Sequence, residues 1–109
     1  MDNLRNIFIR NLKYFRGKKG LRQLDLSLEI NKGANYINSI ENAKYFSGLE
    51  TIQEIAKILE IKPMQLFDEN SCIENILEDN REKLKNEIIE KLHVLLKEDI
   101  KREVEKVLG

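Results

Sequence analysis

Hydrophobic positions recur every three or four residues along most of the chain, and none of it alternates with a period of two. That pattern predicts an all-α protein. A first helix is expected over about Asn3–Arg16, with Leu4, Ile7, Phe8, Leu12 and Phe15 on one side. Gly17 and Gly20 bracket Lys18 and Lys19 at its end, the combination of a helix stop with cations in the last turn. A second, about Arg22–Ile30, is expected to bury Leu24 or Leu26, Leu28 and Ile30. After Asn31-Lys32-Gly33 comes a third, Ala34–Asn42, with Ile37 and Ile40 inward and Gly33 as its N-cap. Ser47 with Glu50 reads as a capping box for a fourth helix carrying Leu49, Ile52, Ile55, Ile58 and Leu59. Pro63 suits the first position of a short fifth helix ending at Phe67.

The pattern changes after Asp68. Ser71 with Glu74, and Asp79 with Glu82, read as further capping boxes. From there Leu84, Ile88, Leu92, Leu96, Ile100, Val104 and Leu108 recur every four residues, widened by Ile89, Leu95 and Val107. Four residues advance about 400° around a helix, so the stripe drifts by about 40° per step. A strict heptad fails at Lys91 and Glu98, which predicts bundle-like packing rather than a long two-stranded zipper. So wide an apolar face needs a partner surface, and pairing with a second subunit is the favoured expectation. The expected division is residues 1–69 as one domain and 70–109 as a helical oligomerisation segment, with Leu84, Ile88, Leu92, Leu95, Leu96, Ile100 and Val104 at a dimer interface.

Composition removes most enzyme classes. The 109 residues carry one histidine, one cysteine, one proline, five glycines and no tryptophan. Cys72 and His93 are too isolated for a zinc site, and no glycine-rich phosphate cradle or nucleophile elbow occurs. No catalysis, metal or cofactor is expected. His93 is read as a surface or interface residue. Cys72, near a helix start, is placed where a thiol pKa can be lowered, yet a lone thiol is weak support for redox sensing. A single cysteine and the lack of any long apolar run point to a reducing, cytoplasmic location and no membrane. Net charge is zero, with 19 basic and 19 acidic residues, but the first 22 positions hold seven cations against Asp2. Such an asymmetry is the footprint expected for a nucleic-acid partner, and a basic, solvated helix face is its other reading.

Five short helices with tight turns suggest a small DNA-reading domain, and the residues make this specific. Gly20-Leu21-x-Gln23, Tyr36-Ile37-x-x-Ile40-Glu41-Asn42, Leu49-Glu50-Thr51, Ile55-Ala56 and Leu66-Phe67 resemble the lambda-repressor-like (Xre/Cro-type) helix-turn-helix family, over about residues 5–68. The resemblance implies that helix 34–42 enters the major groove while the second helix lies across the backbone. It implies base reading by Ala34, Asn35, Asn38 and Ser39. Gln23, Tyr36, Asn42 and Lys44 are implied as phosphate contacts, and Arg16 with Glu41 as a structural ion pair. Asparagine bonds bidentately to adenine, and alanine touches a thymine methyl, so A·T pairs are expected under this face. Tyr36 has a second reading, packing beside the first helix. Several positions depart from the family: Asn31 and Ala43 stand at usual glycines, Lys32 at an apolar site, Gly33 at the usual Ser or Thr cap, and Arg22 at a usual serine.

The function expected is a sequence-specific transcriptional regulator, a dimeric repressor reading an inverted repeat in double-stranded DNA. Two other readings share the fold. One is an antitoxin whose residues 71–109 clasp a toxin, a protein-partner role an antirepressor would also fill. The other is a helix-turn-helix interaction module without DNA binding, which a recognition helix lacking Arg and Lys would suit.

Overall fold

The structure is a computed structural model that describes residues 3–108, and over these it is all-helical. Five α-helices and one 3₁₀ turn follow in order: α1 Leu4–Lys18, α2 Gln23–Glu29, α3 Tyr36–Glu41, α4 Leu49–Leu59, the 3₁₀ turn Pro63–Leu66, and α5 Ser71–Leu108. The chain forms two compact units, 1–73 and 74–109.

In the first unit, Phe8, Leu12, Phe15, Leu26, Ile30, Ile37, Ile40, Ile52, Ile55, Ala56, Leu59 and Leu66 make a single core. Each helix contributes from one stripe, as its spacing requires. Asn3 caps α1 by accepting from the Asn6 amide at 2.9 Å. Three elements differ from their sequence-based forms. Leu24 and Leu28 of α2 are exposed and Leu26 is buried, because a seven-residue helix turns only one narrow arc toward the core. Leu4 is likewise exposed, and Leu49, at 78 % accessible, faces water at the first turn of α4.

Ser47 does not cap α4. Its hydroxyl is taken by that of Tyr36 at 2.7 Å, and Gly48, in extended backbone, is the N-cap. Ser71 also serves a tertiary role, since its hydroxyl donates to the carbonyls of Gln65 and Asp68 and so closes the loop before α5. Asp79 lies inside α5, which runs without interruption where a fresh start was expected.

Asn11 and Ser27 are polar and fully buried. Asn11 Nδ2 reaches the carbonyls of Gln65, Leu66 and Asp68 at 3.1, 3.0 and 2.8 Å, and its Oδ1 accepts from Cys72 Sγ. It therefore pins the 3₁₀ turn and the loop after it to α1. Ser27 Oγ donates to the Gln23 carbonyl at 2.8 Å and accepts from the Ile37 amide at 3.1 Å, tying α2 to the first turn of α3. The hydrogen-bonding groups of both residues are used, as burial demands.

In the second unit, the side chains of Leu84, Ile88, Leu92, Leu95, Leu96, Ile100 and Val104 are all exposed. The helix is uniformly α from Ser71, so angular positions follow from 100° per residue. Leu84, Ile88 and Leu95 fall within an arc of about 40°, and Ile89, Leu96, Ile100 and Val107 within a second such arc, roughly 120° further round. Leu92 falls midway between the two arcs and Val104 about 40° beyond the second, so the drift read in the sequence spreads the apolar positions over one band about 200° wide.

Candidate nucleic-acid interface

The recognition helix is shorter than its sequence suggests. Only Tyr36–Glu41 is helical, and Ala34 and Asn35 form the turn before it. Gly33 offers no side chain to hold the first helical amides. The entry tightens instead, with the Tyr36 amide bonded to the Gly33 carbonyl at 3.1 Å and Asn35 as N-cap. The turn from α2 passes through Asn31 in the left-handed region (φ 57°), which asparagine tolerates better than most residues. At the far end Ala43 adopts φ 59°, a conformation that alanine reaches only at a cost.

The four expected base-reading residues divide into two sets. Ala34, Asn35 and Ser39 line a shallow depression of about 510 Å³ with Gly33, Tyr36 and Tyr45. Asn35 is exposed and its side chain makes no capping bond. Asn38 is half-buried and belongs to a hydrogen-bond chain: its Nδ2 donates to Gln23 Oε1 at 2.9 Å, and its Oδ1 accepts from Asn42 Nδ2 at 3.1 Å. Gln23 Nε2 in turn donates to Glu41 Oε1 at 3.0 Å. Three of the expected contacts, Gln23, Asn38 and Asn42, thus form one connected polar strip.

That strip is anchored inside. Glu41 is buried and holds Arg16 in a bidentate pair, Nε to Oε2 and Nη2 to Oε1, both at 2.8 Å. Arg16 Nη1 also donates to the Leu21 carbonyl at 3.0 Å. The planar guanidinium matches the carboxylate fork, and the pair fastens α1 to α3. Removing either partner would leave a largely desolvated charge, which costs on the order of 3–5 kcal/mol.

Tyr36 packs its ring edge-on to Tyr45, with centroids 5.5 Å apart, and Lys32 Nζ stands 5.5 Å above the Tyr36 ring. The hydrogen bond with Tyr36 pushes the Tyr45 hydroxyl above its ordinary pKa. Neither Tyr45 nor Lys32 was singled out from sequence as part of this surface. An aromatic two residues after Ala43 was the available signal. Lys44 is exposed beside them.

The basic N-terminal segment is partly neutralised within the fold. Arg16 is paired with Glu41, Lys19 with Glu60 at 2.7 Å, and Arg22 with Asp25 at 3.0 Å, while Arg10 donates to the Glu69 carbonyl. Asp2, the anion counted in that segment, lies outside the described residues. Arg22 is the N-cap of α2. It is a donor only, so the cap works through Asp25, whose carboxylate accepts from the Arg22 amide at 2.9 Å. These bonds hold the Asp25 carboxyl below the usual carboxylate range. Cys72 departs from its sequence expectation: burial pushes its thiol up, and the opposing influence of Arg10 is the smaller one.

Among the described residues, no group of three or more His, Cys, Asp or Glu is placed to hold a metal ion, and no helix is long and apolar enough to cross a membrane.

A helix-turn-helix family model matches residues 12–66. No characterised protein sequence matches at a significant level. Among solved structures, a hypothetical transcription factor, NHTF, from Neisseria superposes with a TM-score of 0.58 at 26% identity, over 61% of this chain and 76% of that one. The clp gene regulator ClgR from Corynebacterium glutamicum also gives 0.58, at 19% identity over 78% and 89% of the two chains, a likeness of fold. With the Gln23-to-Glu41 spacing, the α2–turn–α3 geometry and this match over half the chain, the protein belongs to the lambda-repressor-like (Xre/Cro-type) helix-turn-helix family.

Proposed function

We propose that the protein is a sequence-specific DNA-binding transcriptional regulator, a repressor that acts as a homodimer. The observation that carries this reading is the partly exposed amide surface at α3. Asn35 and the Gln23–Asn38–Asn42 strip present donors and acceptors suited to base edges and phosphate oxygens. The 26%-identical neighbour described as a hypothetical transcription factor supports it. Ala34, Asn35, Asn38 and Ser39 read bases, and Gln23, Tyr36, Asn42 and Lys44 meet the backbone. Recognition without cations on α3 leaves affinity to these phosphate contacts and to a second half-site. Two half-sites one helical turn apart, about 34 Å, turn weak single contacts into tight binding.

The apolar side chains of residues 84–108 join two copies. Their exposure in the single chain also fits a different occupant, a toxin or antirepressor held by the same helix. The test is selection from a random duplex library at two salt concentrations, with molar mass measured alongside. An inverted repeat recovered by a dimer is the expected result. A monomer without salt-sensitive binding would overturn the proposal and favour the protein-partner role.

A further inference from the structure

We infer that the partly buried Arg16–Glu41 pair sets the polarity of the base-reading surface, with Glu41 and Gln23 acting as positioning residues for Asn38. The inference deepens the regulator reading and rests on it for its DNA half.

The amide of a glutamine or asparagine has nearly the same shape either way round, so its neighbours must decide which end is oxygen. Here the decision starts at a group with no choice. Glu41, held by two Arg16 donors, is a carboxylate and can only accept. Gln23 must therefore turn its Nε2 toward Glu41, and the 3.0 Å contact is the bond that results. Its Oε1 is then the end left for Asn38, which must offer Nδ2, at 2.9 Å. The Oδ1 of Asn38 is directed the other way, where Asn42 Nδ2 donates to it at 3.1 Å. Each link has one consistent direction, running from a partly buried ion pair to the half-buried recognition face.

This consumes one Nδ2 hydrogen and one Oδ1 lone pair of Asn38, and leaves one of each. A remaining donor and acceptor in fixed order suit adenine, whose N7 accepts and whose N6 donates. They do not suit guanine, which presents two acceptors at the same edge. An untethered asparagine would turn over and lose part of that discrimination. A residue that touches no base thus contributes to sequence preference.

The test compares base preferences from the random-duplex selection and a trans-hydrogen-bond NMR coupling, using the full chain. Asn38→Ala identifies the base pair that Asn38 reads, as the position whose preference it flattens. Gln23→Met keeps the side-chain length and leaves Arg16–Glu41 intact. It should lower the preference at that same position from about 5–150-fold, the range for a bidentate contact, to under about 3-fold. Preferences at positions flattened by Asn35→Ala should persist. Glu41→Gln, which lifts the accept-only constraint, should flatten the same position. A uniform loss of affinity in Gln23→Met with the Asn38 position still selective would overturn the proposal. In the DNA-free wild type, a coupling from Asn38 Nδ2 to the Gln23 side-chain carbonyl carbon is expected, and its absence would overturn the relay even where DNA binding holds. A wild-type chain with that coupling but no sequence preference would overturn the regulator reading and, with it, the DNA half of the inference.

Discussion

Asn11 offers the sharpest test of how the DNA-reading unit is held together. Its side chain is fully buried, and its two amide hydrogens serve three carbonyls, at Gln65, Leu66 and Asp68. The Ser71 hydroxyl also reaches the Gln65 and Asp68 carbonyls, so Leu66 depends most on Asn11. Asn11→Ala removes those bonds and leaves a buried carbonyl with a desolvation cost of about 1–3 kcal/mol. With two net hydrogen bonds at roughly 1 kcal/mol each, a total loss of about 3–5 kcal/mol is expected. For a unit of this size that is a fall in Tm of roughly 12–40 °C, at about 4–8 °C per kcal/mol. Tyr14, Tyr36 and Tyr45 are the only tyrosines and there is no tryptophan, so intrinsic fluorescence reports unfolding of residues 1–73 without interference from α5.

Asn11→Asp separates the hydrogen-bond argument from a simple loss of packing, because the two side chains have nearly the same volume. The new carboxyl faces carbonyls and is buried, so its folded pKa is raised above its unfolded value. Its protonated form can still donate one bond. The variant should therefore be most stable below the unfolded carboxyl pKa, near 4, and lose stability as pH rises through the folded value, opposite to an ordinary paired aspartate. A flat difference from wild type between pH 4 and 7, or a Tm change under 3 °C in Asn11→Ala, would refute the reasoning.

Other expectations follow from the backbone and the titrating groups. Ala43→Gly relieves a left-handed alanine at φ 59° and should stabilise the unit by about 0.5–1 kcal/mol, after the extra entropy of unfolded glycine is deducted; urea unfolding would show it. The Asp25 carboxyl is depressed by Arg22, so its contribution is present above the unfolded pKa and lost as pH falls through the lower folded one. Both groups are exposed, so the effect is small and salt-screened, and Asp25→Asn should flatten the acid limb in a low-salt thermal titration. The Cys72 thiol is raised by burial, so iodoacetamide should react more slowly at pH 8 with folded than with urea-unfolded chain. Lys44→Ala should weaken binding to all duplexes alike and reduce the salt slope by about 1.

The wide apolar band of α5 leads to a further comparison. A pair of straight helices touches along one narrow seam, and an apolar stripe that drifts leaves that seam within a few turns. Leu84, Ile88 and Leu95 toward one side of the band, Leu92 between, and Ile89, Leu96, Ile100 and Val107 toward the other therefore require more than one neighbouring helix surface to be covered together. Under the homodimer reading, Ile88→Glu and Ile100→Glu should each reduce molar mass at micromolar concentration, because the two charges fall about 120° apart around the helix, toward opposite sides of that band. The helix is exposed along both sides in the single chain, so neither change should lower the melting of residues 1–73 followed by tyrosine fluorescence. A variant that keeps the wild-type mass would remove its side from the interface.

How much of this was legible in the sequence depends on whether the deciding partner was local. Helix spacing is local, and the positions of Phe8, Leu12, Phe15, Ile37, Ile40, Ile52, Ile55 and Leu59 follow from it. The capping signals at Ser47 and Ser71 were also local, and they misled for one reason. A hydroxyl bonds to whatever is nearest in space, and Tyr36 and the Gln65 and Asp68 carbonyls were nearer than a helix amide. Asn11 was missed by the converse error. An asparagine beside Leu12 reads as a polar edge of an amphipathic helix, and only chain 54 to 61 residues away makes it a core residue. The same applies to the relay from Glu41 to Asn38. Sequence motifs named its members separately, as phosphate contact, base reader and ion-pair partner. What joins them is that a carboxylate accepts and never donates, a constraint that acts only after folding brings Gln23 between Glu41 and Asn38.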